Sequence, residues 1–141
     1  MKRLNVLMAA LAWIGIVLIL AAGCYPPATA VPLVISIHGF SEWPAHLRDI
    51  SRWNDLADRH GFIVAYPAGT GFPRRWRASS EASGGMQDVT FIADLVDQLA
   101  ARYRIDLGRI YVNGFSNGGG MTYLLTCQLA DRIAAAGSVA G

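Results

Sequence analysis

The stretch "RIYVNGFSNGGGM", Arg109 to Met121, carries strand-favouring residues straight into a serine boxed by glycines. Its apolar, β-branched and aromatic front reads as a buried strand, and Asn117 to Ala130 reads as a helix. Gly114, Ser116 and Gly118 therefore make a G-x-S-x-G spacing at a strand-to-helix corner. A turn that tight packs helix on strand so closely that side chains at the two flanking positions would collide. The serine between them is forced into a strained conformation that lifts its Oγ clear of the sheet, beside the unpaired N–H groups that begin a helix. A glycine-rich helix entry with a buried hydroxyl would use the same letters. The strand before and the helix after favour a nucleophile at Ser116, with the N–H of Asn117 placed to meet a developing oxyanion.

The flanking segments extend this pattern. "LVISIHG", Leu33 to Gly39, is apolar, β-branched and glycine-terminated, a buried strand. Asp49 to His60 sets Ile50, Trp53, Leu56 and Ala57 on one helical face, and Gly61 is the stop. "FIVAYP" is a second strand closed by Pro67. Asp88 is a suitable N-cap for a helix in which Phe91, Ile92, Leu95, Val96 and Leu99 recur at helical spacing. "AAAGSVAG", the last eight residues, begins a fourth strand. Strands without polar alternation, separated by helices, call for an α/β fold: a parallel sheet with helices on both faces and right-handed crossovers. The connection Ala68 to Gln87, rich in Gly, Ser and Arg and carrying Trp76, is longer than ordinary loops, and loops of that length are usually functional or mobile.

"HGF", His38 to Phe40, ends the first of these strands, where a serine nucleophile at such a corner needs its second oxyanion donor. The backbone N–H of Phe40 is the candidate, and Gly39 allows a close approach to the reacting carbonyl. His38 reads as a residue that shapes the loop, and His46 and His60 as solvated or helix-end residues.

The segments "PLVISIHGF", "WNDLADRHGFIVAYPAGTGFP", "DVTFIADLVDQLAARYRID", "RIYVNGFSNGGGM" and "RIAAAGSVAG" resemble the polyhydroxybutyrate depolymerase and feruloyl esterase group of the α/β-hydrolase superfamily, including its lipoprotein members. The similarity covers Pro32 to Gly141. It implies an α/β-hydrolase fold and serine-dependent hydrolysis of carboxylic esters, with no metal or other cofactor. By position, Ser116 matches the nucleophile and Phe40 and Asn117 the oxyanion donors. Trp76 matches a tryptophan segment near the substrate cleft, and Asp88 an acidic helix start, read as a cap.

A serine nucleophile needs a base to take its proton and an acid to orient that base. In this architecture both follow the nucleophile, yet the 25 residues after Ser116 contain Asp131 and no histidine. Asp131 falls at the end of the nucleophile's own helix and reads as a turn residue. The sequence is thus expected to hold the N-terminal part of an esterase domain, its sheet stopping after about four strands and its front end shortened or replaced. Two alternatives stay open: a serine peptidase on the same scaffold, and a non-catalytic membrane-attached fragment of such an enzyme.

The front of the chain accounts for the last expectation. Val6 to Gly23 is an unbroken apolar or small run of 18 residues behind Lys2 and Arg3. It reads as an export signal or a membrane helix. "LAAGC", Leu20 to Cys24, resembles a lipoprotein processing site at which Cys24 takes lipid, so the segment is a lipoprotein signal, a retained helix or a cleaved secretion signal. All three put the remainder outside the cytoplasm. The expected organisation is 1–24 as the targeting or anchoring segment, 25–31 as a Pro-rich linker and 32–141 as a partial α/β-hydrolase domain. From Cys24 onward ten arginines balance ten acids, and nothing reads as a phosphate-tracking surface. Nucleic acid is excluded as a partner on that ground; an ester substrate and a membrane are the expected ones, and the oligomeric state is not readable. Cys127 is expected to be a small buried apolar residue.

Overall fold

The computed structural model of the chain describes residues 5–8, 17–21, 29–79 and 85–141. Two short strands come first, β1 (Asn5–Met8) and β2 (Val17–Ala21), followed by β3 (Val31–Ile37). Helices α1 (Pro44–Ser51) and α2 (Trp53–His60) lead to β4 (Ile63–Tyr66). Helix α3 (Gly85–Arg102), β5 (Ile105–Phe115), α4 (Asn117–Gln128) and β6 (Ala135–Val139) complete the order. All six strands share one sheet, ordered β1-β2-β4-β3-β5-β6. The expected parallel part is there: β4, β3, β5 and β6 run in parallel, with Ile35 opposite Ala65 on one side and Val112 on the other.

The expectation of a shortened front end is corrected. β1 and β2 pair antiparallel, and β2 continues antiparallel onto β4, with Leu18 opposite Tyr66 and Ala21 opposite Ile63. The physical reason is that an unbroken apolar run has no period, so an apolar strand pair and an apolar helix are written in the same residues. Among the described residues no helix is long and apolar enough to cross a membrane. Cys24 and the rest of its processing motif from Ala22 lie outside the described residues.

Alternation along β3 assigns the two faces. Leu33, Ile35 and Ile37 point into a core with Val89, Ile92, Leu95, Val96 and Leu99 of α3 and Met121, Leu124 and Leu125 of α4. Val34 points to the other face, where Leu47 of α1, Ala57 of α2, Val64 and Tyr66 form a second cluster. Each fully buried Leu or Ile contributes about 1.5–3 kcal/mol, so α3 and α4 are held mainly by this apolar face. Burial pushes the Tyr66 hydroxyl up to about 12, and it donates to Asn54 Oδ1 at 3.0 Å, tying β4 to α2.

Two local expectations change. The single helix from Asp49 to His60 is two helices, because Arg52 takes a left-handed conformation (φ 57°) and Pro44 starts α1 earlier. The break lets Trp53 turn its ring edge-on to Phe62, centroids 6.2 Å apart. Cys127 is exposed rather than buried, because it stands on the solvent side of α4 while Leu124 and Leu125 take the core side. Gly61 stops α2 as expected, at φ 71° with its N–H donating to the Ala57 carbonyl.

Candidate active site

The corner between β5 and α4 is built by crowding. A Cβ on Gly114 would lie 2.7 Å from Thr122 Oγ1, and one on Gly118 would lie 2.8 Å from the carbonyl carbon of Ile37 in β3. With helix pressed on sheet at both positions, Ser116 is left at φ 53° and ψ −119°, a conformation costing a non-glycine residue on the order of 1–3 kcal/mol. Strand β6 holds the strained residue in place, since the Ser116 N–H donates to the Val139 carbonyl at 2.8 Å. The Gly120 N–H in turn donates to the Ser116 carbonyl at 3.0 Å. Ser116 remains partly open to solvent, at the end of the sheet where β3 also terminates.

The β3 turn stands next to this corner. A Cβ on Gly39 would meet the Phe115 carbonyl at 3.4 Å, and the Gly39 N–H donates to Glu42 Oε2 at 2.9 Å. Among the described residues no acceptor takes the N–H of Phe40 or of Asn117. Both amides are therefore available to a ligand oxygen, and the exposed rings of Phe40 and Phe115 border the corner. The structure brings together three of the residues singled out in the sequence, Ser116, Asn117 and Phe40.

His38 is fully buried directly before that turn. Its Nε2 accepts from the Gly69 N–H at 2.9 Å, so the ring hydrogen sits on Nδ1, which donates to the Gly39 carbonyl at 2.7 Å. Burial holds its pKa below the usual histidine value of 6.5; the Gly39 carbonyl opposes this and the charge of Arg74 adds to it. Both ring nitrogens are occupied and the ring lies tilted against Trp76, centroids 5.3 Å apart, so His38 is a loop-shaping residue. His46 on α1 and His60 at the end of α2 are exposed, as is Asp131 in the turn after α4.

Trp76 is 2% exposed and packs on Phe91 of α3, ring centroids 6.4 Å apart, so its ring lies in the core. The backbone of Trp76 is what reaches the corner: its N–H donates to Asn117 Oδ1 at 2.7 Å, and its carbonyl accepts from Asn117 Nδ2 at 2.9 Å. The reading of Asp88 as a cap is corrected. It lies inside the first turn of α3, and its buried carboxylate accepts from the Arg77 N–H at 2.8 Å and the Arg77 guanidinium at 3.2 Å. The same guanidinium donates to Thr70 Oγ1 at 3.1 Å. No local spacing announces these contacts, because Trp76 and Asn117 are 41 residues apart.

Residues 17–141 match the family described as Esterase PHB depolymerase. Over 104 residues, 74% of the chain, the sequence is 36% identical to a bifunctional acetylxylan esterase/xylanase of Neocallimastix patriciarum. It is 32% identical over 120 residues to poly(3-hydroxyalkanoate) depolymerase C of Paucimonas lemoignei. The chain spans 15% and 28% of the length of these two relatives. Among solved structures, an acetyl xylan esterase from Aspergillus awamori superposes with a TM-score of 0.77 at 26% identity, over 90% of this chain and 48% of that one.

Proposed function

The chain belongs to the PHB depolymerase esterase family, and from that premise we propose that it carries the nucleophile and the oxyanion site of a serine hydrolase of carboxylic esters. The observation that carries the proposal is the backbone of Ser116, φ 53° and ψ −119° between Gly114 and Gly118 at the strand-to-helix corner. In the proposed reaction Ser116 Oγ attacks the acyl carbon and the carbonyl π pair moves to oxygen. The resulting oxyanion is received by the N–H groups of Phe40 and Asn117. Its collapse expels the alcohol and leaves an acyl-serine, which water then hydrolyses. The substrates that fit the relatives' names are acetyl, polyester-like and aryl esters.

The serine proton must go to a base. His38 has both ring nitrogens engaged, and His46 and His60 stand exposed on α1 and α2, so none of the three histidines is assigned as the base. At the front of the chain we propose export, with Lys2 and Arg3 ahead of the apolar run and lipid on Cys24. Cleavage before Cys24 would remove β1 and β2 and leave β4 as the sheet edge.

The test uses the longest in-frame form that the gene encodes. It is expected to hydrolyse p-nitrophenyl butyrate, and Ser116→Ala is expected to abolish this while leaving the circular dichroism spectrum unchanged. Turnover that survives Ser116→Ala would refute the assignment.

A further inference from the structure

We propose that residues 69–77 form a brace that sets the spacing of the two oxyanion amides, and that Asn117, through its side chain, and Asp88 are positioning residues for it; this rests on the function proposed above. The brace touches both donor segments. On the β3 side, Gly69 donates to His38 Nε2 at 2.9 Å and the Arg74 carbonyl accepts from the Ser41 N–H at 2.7 Å. Those two contacts flank Phe40 immediately before and after the turn. The Arg74 guanidinium also lies 4.1 Å over the Trp43 ring and donates to the Gly69 carbonyl at 2.6 Å, which closes the brace on itself. A bridge between Thr70 and Arg75 narrows it further, with N–H to carbonyl distances of 3.1 and 3.0 Å.

On the α4 side, the contact is the paired amide of Asn117 on the Trp76 backbone. Two hydrogen bonds to one peptide residue fix direction as well as distance, so the Asn117 side chain aligns the first turn of α4 against the brace. Its own backbone N–H is the proposed donor, and side chain and donor move together. Next along the chain, Arg77 is held from below: Asp88 accepts both its N–H and its guanidinium. Asp88 is 4% exposed and belongs to α3, which is seated in the core. The resulting path runs from α3 through Asp88, Arg77 and Trp76 to Asn117, and from Gly69 through His38 to the turn carrying Phe40. An oxyanion site needs its donors fixed before charge develops, and displacement by about 1 Å costs on the order of 10²-fold in rate. The brace supplies that fixation without touching substrate.

The experiment measures kcat and KM for p-nitrophenyl butyrate in the longest in-frame form, with Asn117→Leu, Asp88→Asn, the double variant and Ser116→Ala side by side. Asn117→Leu is expected to lower kcat by roughly 10- to 100-fold with little change in KM, below the loss of on the order of 10²–10³-fold for deleting a donor outright. Asp88→Asn is expected to lower kcat less, and the double variant no further than Asn117→Leu, because both act through one contact. Hydrogen exchange at the Trp76 amide is expected to quicken in every brace variant that loses kcat and to stay unchanged in Ser116→Ala, and this readout carries the test through Asp88→Asn if Asn117→Leu does not fold. A dead Ser116→Ala beside wild-type kcat in both brace variants would overturn the brace and leave the nucleophile standing. Multiplicative losses in the double variant, or lost kcat with unchanged Trp76 exchange in Asn117→Leu or Asp88→Asn, would also overturn it. Activity in Ser116→Ala would instead refute the nucleophile.

Discussion

Gly118 at the start of α4 lies directly on Ile37 at the end of β3, with room for a hydrogen and nothing larger. The atoms in the way are backbone carbonyls of Ile37 and His38, which a flexible side chain cannot yield. Gly118→Ala is therefore expected to cost more than the roughly 1–3 kcal/mol typical of overpacking, enough to lose soluble chain in a small domain. Gly137→Ala in β6, where a Cβ would find nothing nearer than 3.8 Å, is expected to fall within about 0.5 kcal/mol of the parent. Urea midpoints of the two variants check this; equal midpoints would mean the corner is looser than described.

The buried His38 makes a prediction about pH. Its folded pKa lies below 6.5, so between the folded value and 6.5 the unfolded chain binds more protons than the folded one. Stability therefore rises with pH through that window, is complete above about 6.5, and is lost as pH falls. Protonation would set an Nε2–H against the Gly69 N–H, releasing one end of the 69–77 loop. Urea unfolding at pH 7.5 and 5.0 is expected to show this loss, and His38→Gln is expected to lower stability at pH 7.5 and flatten the difference. His46 and His60 are exposed and remain in both proteins, so the comparison isolates His38.

The sequence made the four parallel strands and the Ser116 corner legible because each depends on a local pattern: an apolar run, a helical period, or glycines two residues either side of a serine. What it hid depends on tertiary placement. The acidic residue Asp88 is a reasonable cap by type and position, but α3 already begins at Gly85 and the fold puts Arg77 within reach of its carboxylate. Tryptophan in a long polar loop suggests a surface role, yet the loop closes over the core and buries the ring between His38 and Phe91. The residues of β1 and β2 were legible as apolar and illegible as strands, since pairing and not period decides between sheet and helix.

Processing at Cys24 is testable apart from the fold. With a reporter fused after Gly141, radioactive palmitate is expected to label the chain and Cys24→Ala to remove the label. Persistent label in Cys24→Ala would place lipid elsewhere, and a cytoplasmic reporter would refute export. Cys127 is exposed, so Cys127→Ser serves as the control for thioester-linked label and is expected to change nothing.

The last prediction concerns what residues 1–141 do unaided. Ser116 has a strained backbone and beside it two amides unpaired among the described residues, but the buried His38 spends Nδ1 on the Gly39 carbonyl and Nε2 on the Gly69 amide. Without a base the hydroxyl stays protonated and attacks poorly. Hydrolases stripped of their catalytic residues retain about 10³–10⁴-fold acceleration over water from the oxyanion site and binding, against losses on the order of 10⁶ in kcat. The 141-residue chain is accordingly expected to turn over p-nitrophenyl butyrate barely above background, and to react slowly with a fluorophosphonate probe, while the longest in-frame form does both readily. Robust turnover by the 141-residue chain that disappears in Ser116→Ala and in His38→Gln would show that His38 gives up the Gly69 bond to act as base, and would overturn its assignment as a loop-shaping residue.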